Sequence, residues 1–205
     1  AEALSAACGA EAHLLLTSRN LPGPLAGAQR LAARSNPDLI GSWEGGSNLT
    51  LARGAHGTPI IRERRALTLT RRPETRRMAF TILRDGLCVA NLHASVARPA
   101  ALAEVRTAAA TASAWAGDAP LIFGGDLNLR PRTNPEIFDE LRRKHGLAPP
   151  AGPDSLDHLL ARNLEVAEPP AAWEPARREV PEDGLRVRLS DHAPVEAAFR
   201  TGAGS

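Results

Sequence analysis

A chain of 205 residues, 43% hydrophobic and 23% charged, is long enough for one substantial core and has the balance of an ordinary globular protein. No apolar run approaches the roughly 20 residues that span a bilayer, which excludes a transmembrane helix, and no basic–apolar leader is visible. Two cysteines, Cys8 and Cys88, exclude a disulfide framework or a zinc cage, and a net charge of +2 argues for no particular partner. A single domain over 1–205 is expected, in a soluble chain with the cytoplasm favoured.

In chain order, 1–8 reads as the tail of a helix closed by Gly9, and 13–17 as an apolar strand. Pro22, Gly23 and Pro24 break the chain before a short helix over 25–34. A loop around Trp43 and Glu44 leads into a strand over 47–51, and 58–70 alternates as a long, bent strand. A turn containing Pro73 returns as a strand over 78–83, and Asp85-Gly86 marks a hairpin into 87–92. Pro99 starts an alanine-rich helix that runs to Trp115 and ends at Gly117. A buried strand to Asp126 follows, then a helix over 135–145 stopped by Gly146. Strands are expected over 155–161, 186–189 and 193–199, with surface connections at 149–153 and 169–175. Many strands among few helices give an α/β or α+β class.

The stretch Leu121-Ile122-Phe123-Gly124-Gly125-Asp126-Leu127-Asn128 places a carboxylate and a carboxamide two positions apart at a strand exit. If the extended backbone persists through Leu127, alternation sets both on one side, as oxygen ligands suited to magnesium and phosphate chemistry. The competing reading is an Asx turn that merely closes the strand. Three other strand-end segments share this character: Asn91-Leu92-His93, Leu156-Asp157-His158 and Ser190-Asp191-His192. Taken together they supply hard oxygen ligands and imidazoles, with no serine elbow and no thiolate nucleophile. Ser190, Asp191 and His192 are sequence neighbours that alternate faces, so they do not form a triad with one another.

These four segments, in this order, resemble the endonuclease/exonuclease/phosphatase family of metal-dependent, deoxyribonuclease-like phosphoesterases, from about residue 47 to the end. The resemblance implies a four-layer αββα sandwich of two mixed sheets flanked by helices. It implies hydrolysis of a phosphoester with Mg²⁺ or Mn²⁺. Asp126 would orient or deprotonate the attacking water, and Asn128 would hold water, phosphate oxygen or metal. Asp191 would join Asp126 and Asn128 at the cation, and His93 would protonate the leaving oxygen. His192 would contact the scissile phosphate while Asp157 fixes its tautomer. Asn91 would support the phosphate site. Apart from the resemblance, Arg130 and Arg132, just after the Asp126 motif, are placed for the substrate.

Members of that family normally begin with an Asn-bearing strand and a second strand carrying a metal-ligating Glu. Neither pattern is found, and Glu2 and Glu44 are poor substitutes, so the fold is expected to be N-terminally incomplete, with a sheet edge and apolar surface uncovered. A catalytically silent binding module is therefore the alternative function, and a dinucleotide-binding domain built on Gly124-Gly125 fails for want of the G-x-G-x-x-G spacing. The substrate class stays open between DNA or RNA and a small phosphorylated molecule. Arg62, Arg64, Arg65, Arg71, Arg72, Arg76 and Arg77 flank one hairpin and would suit a phosphate backbone, although a solvated arginine-rich hairpin is the favoured reading of them. Aromatic residues make up only 3% and tyrosine is absent, which argues against base-stacking platforms for single strands.

Overall fold

The computed structural model describes residues 1–17, 46–55, 58, 60–72, 74–182, 185–188 and 190–201. The helix expected over 25–34, Pro73, and the loop at Trp43 and Glu44 lie outside these residues. Helix α1 (Glu2–Cys8) ends on Gly9, whose left-handed φ of 56° lets its N–H bond back to Ala6, a position glycine takes without cost. Strands β1 (Glu11–Leu16) and β2 (Ser47–Ala52) pair antiparallel.

β3 (Ile61–Thr70), β4 (Arg76–Leu83) and β5 (Cys88–His93) form a meander; Gly86, at φ 91°, and the Asp85 carboxylate bonded to Leu87 N–H shape the second hairpin. Helix α2 (Arg98–Ala116) then crosses to β6 (Leu121–Asp126), which runs parallel to β5. Helix α3 (Pro135–His145) returns to β7 (Asp157–Arg162), antiparallel to β6. The result is a five-stranded mixed sheet in the order β3-β4-β5-β6-β7. β8 (Glu165–Ala172) pairs with β11 (Val195–Arg200), and β9 (Glu179–Glu182) with β10 (Leu185–Arg188).

The five-stranded sheet is covered on both faces. On one, Met78, Phe80, Leu92, Leu121 and Phe123 are fully or almost fully buried with α2. That helix presents Ala101, Val105, Ala108, Ala109, Ala112 and Ala116 at helical spacing, small enough to lie close against the strands. Burial of each large apolar side chain contributes about 1.5–3 kcal/mol. On the other face the β1–β2 pair packs across β4 and β5, where His13 Nδ1 meets Thr81 Oγ1 at 2.8 Å. The β8–β11 pair lies against β7. The α/β sandwich expected from the sequence is thus formed, and among the described residues its second β-layer consists of separate antiparallel pairs.

Two strands among the described residues, β8 and β9, are not expected from the sequence. Much of 169–175 is strand, not connection, because β8 runs through Pro169 and Pro170 to Ala172. Proline cannot donate to a ladder, and adjacent prolines turn their nitrogens to opposite edges: one meets the edge of β8 left open among the described residues, and the other falls at the register shift between Glu196 and Ala198, where the β11 ladder skips Pro169 and Pro170. No helix among the described residues is long and apolar enough to cross a membrane.

Candidate functional site

The site lies where three neighbouring strands meet one edge of the central sheet. β5 and β6 run parallel and end there, with His93 opposite Asp126; β7 runs the other way and begins there, with Asp157 opposite Asp126. Gly124 and Gly125 allow this flush register. A Cβ on Gly124 would lie 1.9 Å from the His158 carbonyl oxygen, and one on Gly125 would lie 2.1 Å from that of Leu92. Any larger residue would separate the strands whose ends form the site.

The extended backbone does not continue past Asp126. Asn128 turns left-handed at φ 51°, and its N–H donates to Asp126 Oδ1 at 2.9 Å. The Asx turn and the side-by-side placement are therefore one and the same feature, and alternation along a strand is not what joins the two groups. The Asn128 amide donates to Ala94 O at 2.9 Å and faces Asp126 Oδ2 at 3.4 Å. Leu127 points inward and is fully buried, anchoring the turn.

His192 reaches this edge from the loop before β11. Its Nδ1 is 2.7 Å from Asp157 Oδ2 and 3.9 Å from Asp126 Oδ2. His93 Nε2 is 3.3 Å from the same Asp126 oxygen and is half-exposed. The Asp157 hydrogen bond raises the His192 pKa above its ordinary 6.5, with further help from the charges of Asp157, Asp126 and Asp191 against a partial burial cost. An Nδ1–H donated to Asp157 leaves Nε2 as the ring nitrogen free for a ligand. Asp126, Asp157 and His192 offer ligand atoms that all lie within 4.8 Å of one another, a donor set that suits a divalent cation.

Asp191 is exposed and accepts the His192 N–H at 3.1 Å. It shares a cavity of about 570 Å³ with Asp157, His192 and Arg130. Asn91, like Asp126, is not among the residues lining this cavity; its amide donates to Leu49 O at 3.2 Å and faces Thr50 Oγ1, tying β2 to the central sheet. Of the arginines along the β3–β4 hairpin, Arg64 pairs with Glu11, Arg65 with Glu63 and Arg76 with Glu74, while Arg77 bonds Leu16 O. Those four are engaged with the protein itself.

Three further residues support the site; Glu104 and Arg178 lie outside the four motifs, and His158 lies within one without a role assigned to it. Buried Glu104 on α2 accepts Ser95 N–H at 2.7 Å and Ser95 Oγ–H at 2.8 Å, holding the turn whose Ala94 carbonyl anchors Asn128. The only local signal was a carboxylate on an otherwise apolar helix face. His158, fully buried, accepts the Ala151 N–H at 3.2 Å on Nδ1 and places Nε2 3.1 Å from Leu129 O, the pattern of a neutral ring. Burial pushes its pKa down, and its ring packs on Phe138 with centroids 4.8 Å apart. Arg178 also lines the cavity, from the 3₁₀ turn Pro175–Arg178.

No family model matches the sequence, and no curated protein matches it. Solved structures do match. An endonuclease/exonuclease/phosphatase family protein from Bacteroides thetaiotaomicron is 13% identical with a TM-score of 0.60, over 93% of this chain and 98% of that one. The endonuclease/exonuclease/phosphatase from Bacteroides vulgatus is 12% identical with a TM-score of 0.64, over 98% and 80% of the two chains. Truncated TDP2 from Caenorhabditis elegans is 15% identical with a TM-score of 0.50, over 75% and 70%. At such identities the likeness is one of architecture, and it agrees with the four motifs: this chain has the endonuclease/exonuclease/phosphatase fold.

Proposed function

We propose that this chain hydrolyses a phosphoester with the help of a divalent cation, Mg²⁺ or Mn²⁺. The observation that carries the reading is the meeting of His93, Asp126, Asp157 and His192, drawn from four separate segments, in one chain of contacts between 2.7 and 3.9 Å. A buried core gains nothing from such a set, whereas phosphoryl transfer needs a positioned water, a neutralised phosphate and a proton for the leaving group.

Asp126 takes the proton of the attacking water as its oxygen bonds to phosphorus. The bond from phosphorus to the leaving oxygen breaks, and His93 supplies the proton to that oxygen. The 3.3 Å contact between His93 Nε2 and Asp126 Oδ2 then lets the proton return, resetting both groups. His192 Nε2 donates to a phosphate oxygen while Asp157 holds the other ring nitrogen. Because Nδ1 and Asp157 Oδ2 occupy one another at 2.7 Å, we assign the cation to Asp126, Asn128 and Asp191. When bound, the cation neutralises phosphate charge and polarises the phosphorus–oxygen bond. Arg130 stands at the cavity wall for the rest of the substrate, and Asn91, whose amide is held by Leu49 O, supports the phosphate site.

Hydrolysis of bis(p-nitrophenyl) phosphate with Mg²⁺ or Mn²⁺ tests the reading. Wild type should release nitrophenol, EDTA should stop it, and Asp126→Ala or His192→Ala should abolish it in folded protein. Full activity in either variant refutes the mechanism. An inactive wild type that also binds no cation in a calorimetric titration leaves the silent binding module.

A further inference from the structure

We propose that the cavity beside His192 holds a second anion subsite, in which Arg178 and Arg130 bind a further phosphate of a substrate whose scissile phosphate sits at His192; the identity of that first phosphate rests on the function proposed above. Three observations lead there. The cavity, about 570 Å³, is in the range that encloses a ligand of drug size, far more than one phosphate requires. Its catalytic wall carries Asp157, Asp191 and His192, and its other side carries Arg130, Asp154 and Arg178.

The charges of that second side do not cancel. Asp154 is matched by Arg132, which lies outside the cavity lining and donates from Nε at 2.8 Å and from Nη2 at 2.9 Å. Arg130 commits only Nε, to the Asp154 backbone carbonyl at 3.2 Å, which leaves its terminal nitrogens without a partner among the described residues. Arg178 makes no hydrogen bond or ion pair among them, and its Nε is shielded from solvent without an acceptor. An arginine in a protein always carries its charge, and its planar fork matches two oxygens of a phosphate.

The neighbouring residue explains why Arg178 is placed and not merely loose. Arg177 bonds Glu196 Oε2 at 2.8 Å and lies over the Trp173 ring, 3.9 Å from its centroid. Trp173 Nε1–H donates to the same Glu196 oxygen at 2.9 Å. This cluster fixes the 3₁₀ turn on β11 and sets Arg178 at the cavity. The substrate class that fits is one with two phosphates a short distance apart, found in a nucleotide chain or in a small polyphosphorylated molecule.

Calorimetric binding to the intact chain in EDTA, with inorganic phosphate and pyrophosphate as probes, measures the subsite without any turnover. Wild type should bind pyrophosphate about tenfold tighter than phosphate, the gain of one added charge-assisted pair. Arg178→Ala should bring the two within about twofold, Arg178→Lys should restore part of the preference as a point charge, and His192→Ala should weaken both probes alike. A wild type without the preference, or an Arg178→Ala protein that keeps it, overturns the subsite. A second comparison, of a thymidine dinucleotide with and without a 5′-phosphate against an inositol bisphosphate and monophosphate, identifies the source by the pair showing the larger Arg178-dependent gain. Hydrolysis without the preference refutes the subsite alone. An Arg178-dependent preference in a chain that hydrolyses nothing supports the subsite and refutes the activity.

Discussion

His192 Nδ1 stands 2.7 Å from Asp157 Oδ2, although 35 residues separate them in the chain. The contact joins the loop before β11 to the first residue of β7. A carboxylate only accepts, so the contact fixes the proton on Nδ1, and it engages one of the Asp157 oxygens. Asp157→Asn should therefore lower kcat by about 10–100-fold, the usual loss when a partner that orients a functional histidine is removed. Calorimetric cation affinity should stay unchanged. A parallel loss of cation binding would make Asp157 a ligand and overturn the assignment to Asp126, Asn128 and Asp191.

Asn128 serves two purposes that substitution can separate. Its φ of 51° suits glycine as well as asparagine, while its side chain bonds Ala94 O and faces Asp126. Asn128→Gly should keep thermal stability within about 1 kcal/mol, because the backbone conformation is retained at the cost of one side-chain bond. Hydrolysis should nonetheless fall sharply. Wild-type turnover in the glycine variant would reduce Asn128 to a turn residue.

Gly124 and Gly86 are both glycines of the central sheet, with opposite surroundings. A Cβ at Gly124 would meet the His158 carbonyl at 1.9 Å, whereas one at Gly86 meets nothing within 4 Å and suffers only from the φ of 91°. Gly124→Ala should cost about 3 kcal/mol or more, since two backbones must move apart. Gly86→Ala should cost about 1 kcal/mol. Urea unfolding of the two variants checks the order, and equal losses would contradict the close approach of β6 and β7.

Burial holds the His13 and His158 pKa values below the ordinary 6.5. The Arg64 charge adds to the effect at His13; at His158 the Leu129 and Ser155 backbone and the charges of Asp157 and Asp126 oppose it. The unfolded chain therefore binds more protons than the native state between the lowered folded values and 6.5. The contribution is complete above the unfolded pKa and is lost as pH falls from there through the folded values. His192, whose pKa is raised, contributes in the opposite direction, so the measurement uses the His192→Ala variant: its urea midpoint should drop as pH falls below about 6.5, and replacement of His13 by Gln should flatten part of that slope. A midpoint of that variant that does not move with pH would mean that neither ring is held neutral by the fold.

Glu104 has no motif to announce it, and its loss should still disturb the site. Glu104→Ala leaves the Ser95 N–H and hydroxyl without their acceptor, at a cost of about 1–3 kcal/mol. The melting temperature should fall accordingly, with turnover falling further because Ala94 anchors Asn128. Unchanged stability would show that water replaces the carboxylate.

Features set by a few adjacent residues were legible in the amino-acid sequence. Gly9 and Gly146 close their helices in left-handed conformation, at φ 56° and 67°, because only there does glycine's missing Cβ decide the outcome. Asp85-Gly86 makes its hairpin, and 121–126 forms a strand whose Leu121 and Phe123 are buried. The chemical inventory of His93, Asp126, Asn128, Asp157, Asp191 and His192 was legible too, since residue types in ordered motifs survive when spacing does not. What residue order left open was decided by register and by contacts between distant segments. Whether Asp126 and Asn128 meet by alternation or by a turn depends on where β6 stops, and that depends on Leu127 being drawn into the core. The prolines of β8 read locally as a break, yet β8 pairs with β11 on both sides of them, and the ladder's register shift falls where their donors are missing. The hairpin arginines looked free for a partner until folding brought Glu11 to Arg64 across 53 residues. Propensity acts over a turn or two of chain, while a hydrogen bond or an ion pair asks only which atoms are adjacent in space, and only the packed sheet answers that.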